Sequence, residues 1–199
     1  MSIVIRDVLE HELDSVLALN NAAGPGILPV DAARMRRLFE NAEYFRVAER
    51  DGHIAGVLIA FGSTAAYDSR NFRWFAERYP RFLYIDRIVV ASRRRGGGVG
   101  RALYADVQSY AEARYPELAC EVFLQEGTDP ALLFHGSFGF REVGQNVQAD
   151  GTRACMLVKP MCSHAWIRET YGDHLPAVDW ILAPRPLREA GHRQTGTCA

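Results

Sequence analysis

A glycine-rich segment within residues 84–101 carries the strongest chemical signal in this sequence. The β-branched run 85–90 predicts a strand, and three arginines and then the glycines at 96, 97, 98 and 100 follow it. Glycines leave room for backbone N–H groups to surround an anion, and the helix predicted from Val99 adds its N-terminal dipole and unpaired donors. The forked guanidinium donors of Arg95 and Arg101 suit phosphate oxygens. We therefore predict a pyrophosphate-binding turn between a strand and a helix.

The spacing of these residues distinguishes between three kinds of phosphate-binding loop. A P-loop needs a lysine and a hydroxyl residue after its last glycine, and neither follows Gly100. The dinucleotide-binding pattern Gly-x-Gly-x-x-Gly fails because its third glycine position falls on Arg101 or Leu103. The pattern [Arg/Gln]-x-x-Gly-x-[Gly/Ala] is met by Arg95, Gly98 and Gly100, and it resembles the acyl-CoA loop of the GNAT superfamily of N-acyltransferases. A glycine-rich turn with solvated arginines is the alternative interpretation.

A second motif lies downstream of this loop. Residues 131–140, Ala-Leu-Leu-Phe-His-Gly-Ser-Phe-Gly-Phe, are similar to the GNAT segment Ala-x-x-Leu-Tyr-x-x-x-Gly-Phe, with His135 at the tyrosine position. Gly139 suits the left-handed residue that commonly follows a helix end. The resemblance covers residues 1–160, and the stretch 84–90 also resembles a poorly characterised bacterial subgroup of predicted acetyltransferases.

The resemblance implies direct transfer of an acyl group from acetyl-CoA, the expected cosubstrate, to an amine. It implies that the pantetheine arm adds like a strand to the backbone ending at Val90, and that this strand splays from the one containing Glu121. The Val90 N–H is the candidate donor to the thioester oxygen, and Thr128 stands where many relatives carry a CoA-contacting asparagine. The expected cofactor contacts are Ile88, Val89, Val90, Arg95, Gly96, Gly97, Gly98, Val99, Gly100, Arg101, Thr128 and Phe134.

The acid that protonates the leaving thiolate is predicted to be His135, because it replaces the family's tyrosine. An imidazolium can donate a proton, and the reference pKa of histidine near 6.5 lies closer to neutrality than that of tyrosine near 10. The alternative is that His135 only packs or hydrogen-bonds beside CoA.

Two carboxylates are candidates for the base that removes the amine proton. Strand alternation predicts that Tyr84, Asp86, Ile88 and Val90 share one face, which places Asp86, with Tyr84 beside it as a further candidate catalytic residue, near the proposed CoA contacts. Glu121 lies on the next predicted strand, two residues before Phe123, where protein N-terminal acetyltransferases often carry a glutamate. For each carboxylate, a structural ion pair or a solvated edge charge is the alternative.

Composition indicates a globular enzyme. The chain has 199 residues, 48% hydrophobic residues and a net charge of −1, whereas a nucleic-acid binder would show a basic excess. No apolar run approaches the roughly 20 residues that span a bilayer, and no signal-peptide core follows Met1. The cysteines at 120, 155, 162 and 198 lack metal-ligand spacing, so we expect no metal. Cys120 and Cys155 lie in predicted strands, and we expect them to be small buried thiols in a reducing cytoplasm.

The order of predicted elements is β-α-α-β-β-(α)-β-α-β-α-β-β. This order matches the α/β (α+β) fold that the resemblance implies, with a mixed, mostly antiparallel central sheet flanked by helices and splayed at the CoA site. We predict a GNAT acetyltransferase domain over 1–160 and a C-terminal extension over 161–199. The extension contains Trp166 and Trp180, which we expect to pack on the domain or in a homodimer contact, and its end from Arg185 is predicted to be disordered.

These features together predict a cytoplasmic N-acetyltransferase that acetylates a small or amino-acid-like amine. A protein or peptide N-terminal acetyltransferase is the alternative enzyme, and a non-catalytic CoA-binding regulatory module is the alternative from another class. We expect no nucleic-acid or membrane partner. The segments predicted to set the acceptor specificity are 21–30 and 63–81.

Overall fold

The protein, seen in a computed structural model that describes residues 2–24, 26–124 and 129–172, is built on a seven-stranded sheet. The strand order is β1-β2-β3-β4-β5-β7-β6, and every neighbouring pair is antiparallel except β4–β5. The elements are β1 Ile3–Asp7, α1 Leu13–Asn21, α2 Ala32–Asn41, β2 Tyr44–Arg50, β3 His53–Gly62, α3 Arg70–Ala76, β4 Leu83–Val90, α4 Val99–Glu112, β5 Glu117–Phe123, α5 Pro130–Ser137, β6 Arg141–Val147, β7 Arg153–Pro160 and α6 His164–Tyr171. The predicted fold class and element order are confirmed.

Local sequence signals set several element boundaries. The Asp31 carboxylate accepts a hydrogen bond of 2.6 Å from the Arg34 N–H and so caps α2, as this residue type favours. Asp51 and Gly52 adopt φ values of 56° and 74° in the turn between β2 and β3, which is the conformation that an Asp-Gly hairpin turn requires.

Helices cover a hydrophobic cluster on each side of the sheet. On the side that we call the α1–α3 face, Val16, Leu38 and Phe75 from the three helices pack into one buried cluster. On the opposite α4–α5 face, Leu103 and Val107 of α4 lie in a second cluster. The apolar residues of α4 recur every three or four positions, which brings them to one side of the helix.

A β-bulge interrupts β4 at Asp86. Ile59 of β3 pairs with Arg87, whereas the next residue, Ala60, pairs with Ile85. Asp86 is therefore an extra residue in β4, and such an extra residue reverses the alternation of side chains beyond it.

The bulge overturns the predicted common face of β4. Tyr84 packs into the cluster of the α1–α3 face, whereas Ile88 and Val90 pack against the cluster of the α4–α5 face. The prediction that Tyr84, Asp86, Ile88 and Val90 share one face is wrong, because strict alternation holds only along an unbroken ladder.

β4 and β5 separate shortly after they meet. Their parallel pairing consists of Leu83 with Leu118 and Tyr84 with Ala119, although β4 continues to Val90. The predicted splay between these strands is confirmed, and it leaves the distal part of β4 with an edge that β5 does not occupy.

The start of the C-terminal extension packs on α4. The Ser163 N–H donates a hydrogen bond of 2.7 Å to a Glu112 carboxylate oxygen, and the Trp166 ring of α6 packs edge-on against Tyr171 while 58% of Trp166 stays exposed. The predictions for Trp180 and for the segment from Arg185 lie outside the described residues. Within the described ranges, no helix is both long enough and apolar enough to cross a membrane.

Candidate active site

The glycine-rich turn presents bare backbone at the N-terminus of α4. Gly96 and Gly98 have φ values of 76° and 83°, a left-handed conformation that glycine adopts without strain. Gly98 is the N-cap of α4, and no side chain caps this helix start. The first N–H groups of this 14-residue helix are therefore available to an anion.

Gly100 permits a close contact between the two motifs found in the sequence. A Cβ at this position would lie 3.1 Å from Cζ of Phe134, so a larger residue would push this α5 ring away. Phe134 in turn packs edge-on against Tyr104 of α4. The predicted cofactor contacts Gly100 and Phe134 are thus brought together.

The arginines of the turn have two different roles. Arg95 donates a hydrogen bond of 3.1 Å to the carbonyl of Ala23, and Arg94 forms an ion pair of 3.2 Å with Asp51. These contacts tie the turn to neighbouring loops. Arg101 is exposed at the start of α4, where its guanidinium is accessible to a phosphate.

Arg50 is a member of the turn that the sequence analysis missed. Its guanidinium donates a hydrogen bond of 3.2 Å to the carbonyl of Gly97, and it lies where a Cβ on Gly97 would stand only 2.5 Å away. Its position at the end of β2 gave no local signal, because the contact spans 47 positions of the chain.

The free edge of β4 offers backbone donors to a ligand. The Ala91 N–H donates to the Ala55 carbonyl at 2.9 Å, so the adjacent pair of Val90 and Gly56 is a non-hydrogen-bonded pair of the antiparallel ladder. The N–H groups of Val90 and, two residues earlier, Ile88 therefore point away from β3 and toward the splay. The backbone N–H and carbonyl of Val89, in contrast, face β3, and its side chain is buried in the cluster of the α1–α3 face.

Glu121 is held at the splay by two hydrogen bonds. Its carboxylate accepts a hydrogen bond of 2.7 Å from the Tyr84 hydroxyl and one of 2.9 Å from the Asn71 amide of α3. Burial raises the pKa of Glu121 to about 7, although the hydrogen bonds from Tyr84 and Asn71 lower this pKa by stabilising the ionised form. A carboxylate with this pKa is matched to proton transfer at neutral pH. Burial and the nearby Glu121 charge hold the pKa of Tyr84 well above its usual range, so Tyr84 serves as a donor.

Asp86 has a different environment from that of Glu121. Its carboxylate accepts a hydrogen bond of 2.6 Å from the Arg87 guanidinium and one of 2.5 Å from the Tyr67 hydroxyl. Arg87 also bonds to the side chain of Asn20 at 2.9 Å. The side chains of Asp86 and Arg87 are only 8% and 9% exposed, so this pair corresponds to the structural ion pair considered as an alternative for Asp86.

His135 is buried in an aromatic environment, 5% exposed. Its Nδ1 lies 2.5 Å from the Tyr104 hydroxyl and 3.5 Å from Cys120 Sγ, and the rings of Phe134 and Phe140 pack against it. Burial lowers the pKa of His135 to about 4, the direction opposite to the one that an imidazolium acid needs. Burial therefore favours the neutral ring, and the role of His135 as the proton donor stays a prediction.

The structure thus brings Tyr84 and Glu121 together, whereas Asp86 and His135 form hydrogen bonds with other partners. Asn71 and Tyr67, which the sequence analysis did not single out, are the partners of the two carboxylates. Thr128 lies outside the described residues. Within the described part of the chain, no group of three or more His, Cys, Asp or Glu residues could hold a metal ion.

Comparison with known proteins identifies the family. Residues 27–159 match the family model of the acetyltransferase (GNAT) domain, whereas no curated protein matches with significance. The ribosomal-protein-alanine N-acetyltransferase from Brucella melitensis is 25% identical, with a TM-score of 0.61 over 79% of this chain and 99% of that one.

Two further solved structures share the fold at lower identity. The ribosomal-protein-S18-alanine N-acetyltransferase from Escherichia coli is 16% identical, with a TM-score of 0.61 over 80% of this chain and 94% of that one. Arabidopsis thaliana Naa50, in complex with the bisubstrate analogue CoA-Ac-MVNAL, is 16% identical, with a TM-score of 0.60 over 80% and 99%. Since the family model spans most of the chain, the protein belongs to the GNAT family and is an acetyltransferase.

Proposed function

We propose that this protein transfers the acetyl group of acetyl-CoA to the amine of a small molecule, with Glu121 as the general base. The observation that carries the proposal is the Glu121 carboxylate at the splay of β4 and β5, with its pKa raised to about 7 by burial. At neutral pH about half of such carboxylates are ionised, and an ionised one can accept a proton from an acceptor ammonium.

The described residues fit acetyl-CoA along the other wall of the splay. The uncapped start of α4, with left-handed Gly96 and Gly98, suits the pyrophosphate. The outward N–H groups of Ile88 and Val90 suit the amides and carbonyl of the acyl-pantetheine arm. Acetyl-CoA would supply the activated acetyl group as a thioester, and the Val90 N–H would stabilise negative charge that develops on its oxygen.

The cover that α3 forms over Glu121 supports a small acceptor. Asn71 of α3 bonds the carboxylate, and Trp74 approaches β6 so closely that a Cβ on Gly144 would lie 2.9 Å from Cζ2 of the indole. α3 therefore lies against β6 beside the base, which favours a compact amine over an extended polypeptide. The free buried thiols of Cys120 and Cys155 support a cytoplasmic location.

A polypeptide N-terminus is the second candidate acceptor. It is favoured by the similarity to the Brucella melitensis ribosomal-protein-alanine N-acetyltransferase, which is 25% identical over 79% of this chain. The two acceptor classes are separated by assaying small amines and alanine-initiated peptides side by side.

The test measures thiol release from acetyl-CoA across a panel of small amines and alanine-initiated peptides. The Glu121→Gln variant is expected to lose about 10²- to 10⁴-fold in kcat while keeping acetyl-CoA affinity, as for a lost general base. Glu117→Gln is the matched control, because Glu117 lies on the same strand and makes no side-chain hydrogen bond within the described residues. Tight acetyl-CoA binding with no turnover on any acceptor would refute the enzyme proposal and support a CoA-binding module.

A further inference from the structure

A cavity lies between α3 and β6, where its lining residue Asn146 bonds to Asn71, the partner of Glu121. Its volume is about 190 Å³, and Arg70, Arg73, Trp74, Glu77 and Asn146 line it. Pockets for drug-sized ligands measure roughly 300–1,000 Å³, so this cavity suits a smaller molecule. Neither the cofactor groove nor the proton transfer at Glu121 uses these five residues.

Two hydrogen bonds connect this cavity to Glu121. The carboxylate is an acceptor when ionised, so Asn71 must present its amide nitrogen to it, at 2.9 Å. The remaining Asn71 oxygen then accepts from Nδ2 of Asn146 at 2.8 Å and from Nε2 of Gln148 at 2.9 Å. Because the nitrogen of Asn146 is used in this way, its carbonyl oxygen is left to accept an N–H from a ligand.

The cavity has an excess of positive charge. Within the described part of the chain, Arg70 has no ion-pair partner, and Arg73 reaches only Asp68, in a pair whose side chains are 58% and 87% exposed. Such an exposed pair is weak and exchangeable. Glu77, which also lines the cavity, forms a similarly exposed pair with Arg78 at 3.1 Å. The three arginines and the two carboxylates therefore leave one net positive charge, and Arg70 is the arginine without an ion pair among the described residues.

Trp74 supplies an apolar wall to the same cavity. The Arg78 guanidinium stacks over its indole at 4.1 Å from the ring centroid, and the indole also packs edge-on against Phe75. These contacts fix the ring, so the cavity combines a rigid aromatic surface, a free cation and an amide oxygen.

We propose that this cavity binds the carboxylate of the acceptor, so that the substrates of the enzyme are small amines that also carry a carboxylate. Arg70 and Arg73 hold the carboxylate, and the Asn146 oxygen receives the N–H of the amine and directs it toward Glu121. The inference rests on the proposed function, because it assigns the acceptor class of that same site.

The first test compares acceptors with and without a free carboxylate. The twenty common L-amino acids and their C-terminal carboxamides are assayed with saturating acetyl-CoA. We expect Arg70→Gln to raise the KM for the acetylated amino acids about 10-fold or more, the scale of one charge-assisted contact, with the KM for carboxamides unchanged. Arg37→Gln, an exposed arginine on α2, is the matched control and should change neither. Equal KM values for acids and carboxamides in the parent would overturn the inference while leaving the acetyltransferase proposal intact.

The second test measures binding without catalysis. Titration of the same amino acids without acetyl-CoA should produce a saturable change in tryptophan fluorescence, and Trp74→Phe should abolish it. If no amine is acetylated but this Trp74-dependent binding occurs and weakens about 10-fold in Arg70→Gln, the proposed reaction fails and the anion site stands. If neither acetylation nor Trp74-dependent binding is seen with any amino acid, the inference is wrong.

Discussion

The hydrogen bond from Asn71 to Glu121 allows a sharp test of the assigned base. Asn71 is 4% exposed and donates to the carboxylate at 2.9 Å, so it stabilises the ionised form. The Asn71→Leu substitution removes the donor at similar volume. We therefore expect it to raise the pKa of Glu121 above its present value of about 7.

The size of this increase follows from the energy of the lost bond. A hydrogen bond to a charged group contributes about 1.5–3 kcal/mol, and each 1.36 kcal/mol corresponds to about one pKa unit. The acidic limb of the pH profile should then move up by about 1–2 units. At pH 7 the ionised fraction falls accordingly, and kcat/KM should fall about 5- to 50-fold and approach the parent value at alkaline pH.

The assay is the pH profile of kcat/KM for one acceptor, measured by thiol release from acetyl-CoA. Tyr84→Phe removes the other donor to Glu121 and should shift the limb in the same direction. Tyr110→Phe is the matched control, because its hydroxyl donates at 2.9 Å to a different carboxylate, Glu43, and should leave the limb in place. Thermal unfolding of each variant establishes that it is folded at the assay temperature.

One pattern of results would exclude Glu121 as the titrating base. If Asn71→Leu and Tyr84→Phe remain folded and lower the activity by the same factor at every pH, the titrating base is not Glu121. The same conclusion follows if Glu121→Gln retains the acidic limb of the parent.

Three further predictions concern the cofactor loop and the two shifted ionisable groups. Gly98→Asp should weaken acetyl-CoA binding at least 10-fold in calorimetry, since it places a negative charge in the anion site. Gly151→Asp, at another left-handed glycine with a φ of 85°, should leave this binding unchanged. An equal loss of affinity in both variants would exclude the loop as the pyrophosphate site. The pKa of Glu121 in the folded state, about 7, exceeds its usual 4.5, so its contribution to stability is present below pH 4.5 and lost as pH rises through 7. In urea titrations between pH 4.5 and 8, the parent should lose up to about 3 kcal/mol more than Glu121→Gln, and parallel curves would contradict the raised pKa. The pKa of His135 is shifted in the other direction, down to about 4. Its contribution to stability is therefore present above pH 6.5 and is lost as pH falls toward 4. Over this range the parent should lose about 3 kcal/mol more than His135→Phe. Unchanged kcat in His135→Phe at pH 7 would limit this residue to packing.

The sequence alone determined those features that depend on neighbours along the chain. The loop with Arg95, Gly98 and Gly100 was predicted because anion binding by backbone N–H groups requires glycines at fixed spacing. The Asp31 cap and the Asp51-Gly52 turn are local in the same way, since each depends on interactions within a few residues.

Only the tertiary structure decided the chemistry of the ionisable side chains. The bulge at Asp86 arises from the pairing of β4 with β3 and reversed the predicted faces. The Asp86 carboxylate accepts hydrogen bonds from Arg87 and Tyr67. The Glu121 carboxylate accepts one from Asn71, which is 50 positions away in the chain. A pKa depends on burial and on charged or hydrogen-bonding partners in space, and local sequence does not specify these. For this reason the sequence could name Glu121 and His135 as candidates, but only the packing around them raised the pKa of one and lowered that of the other.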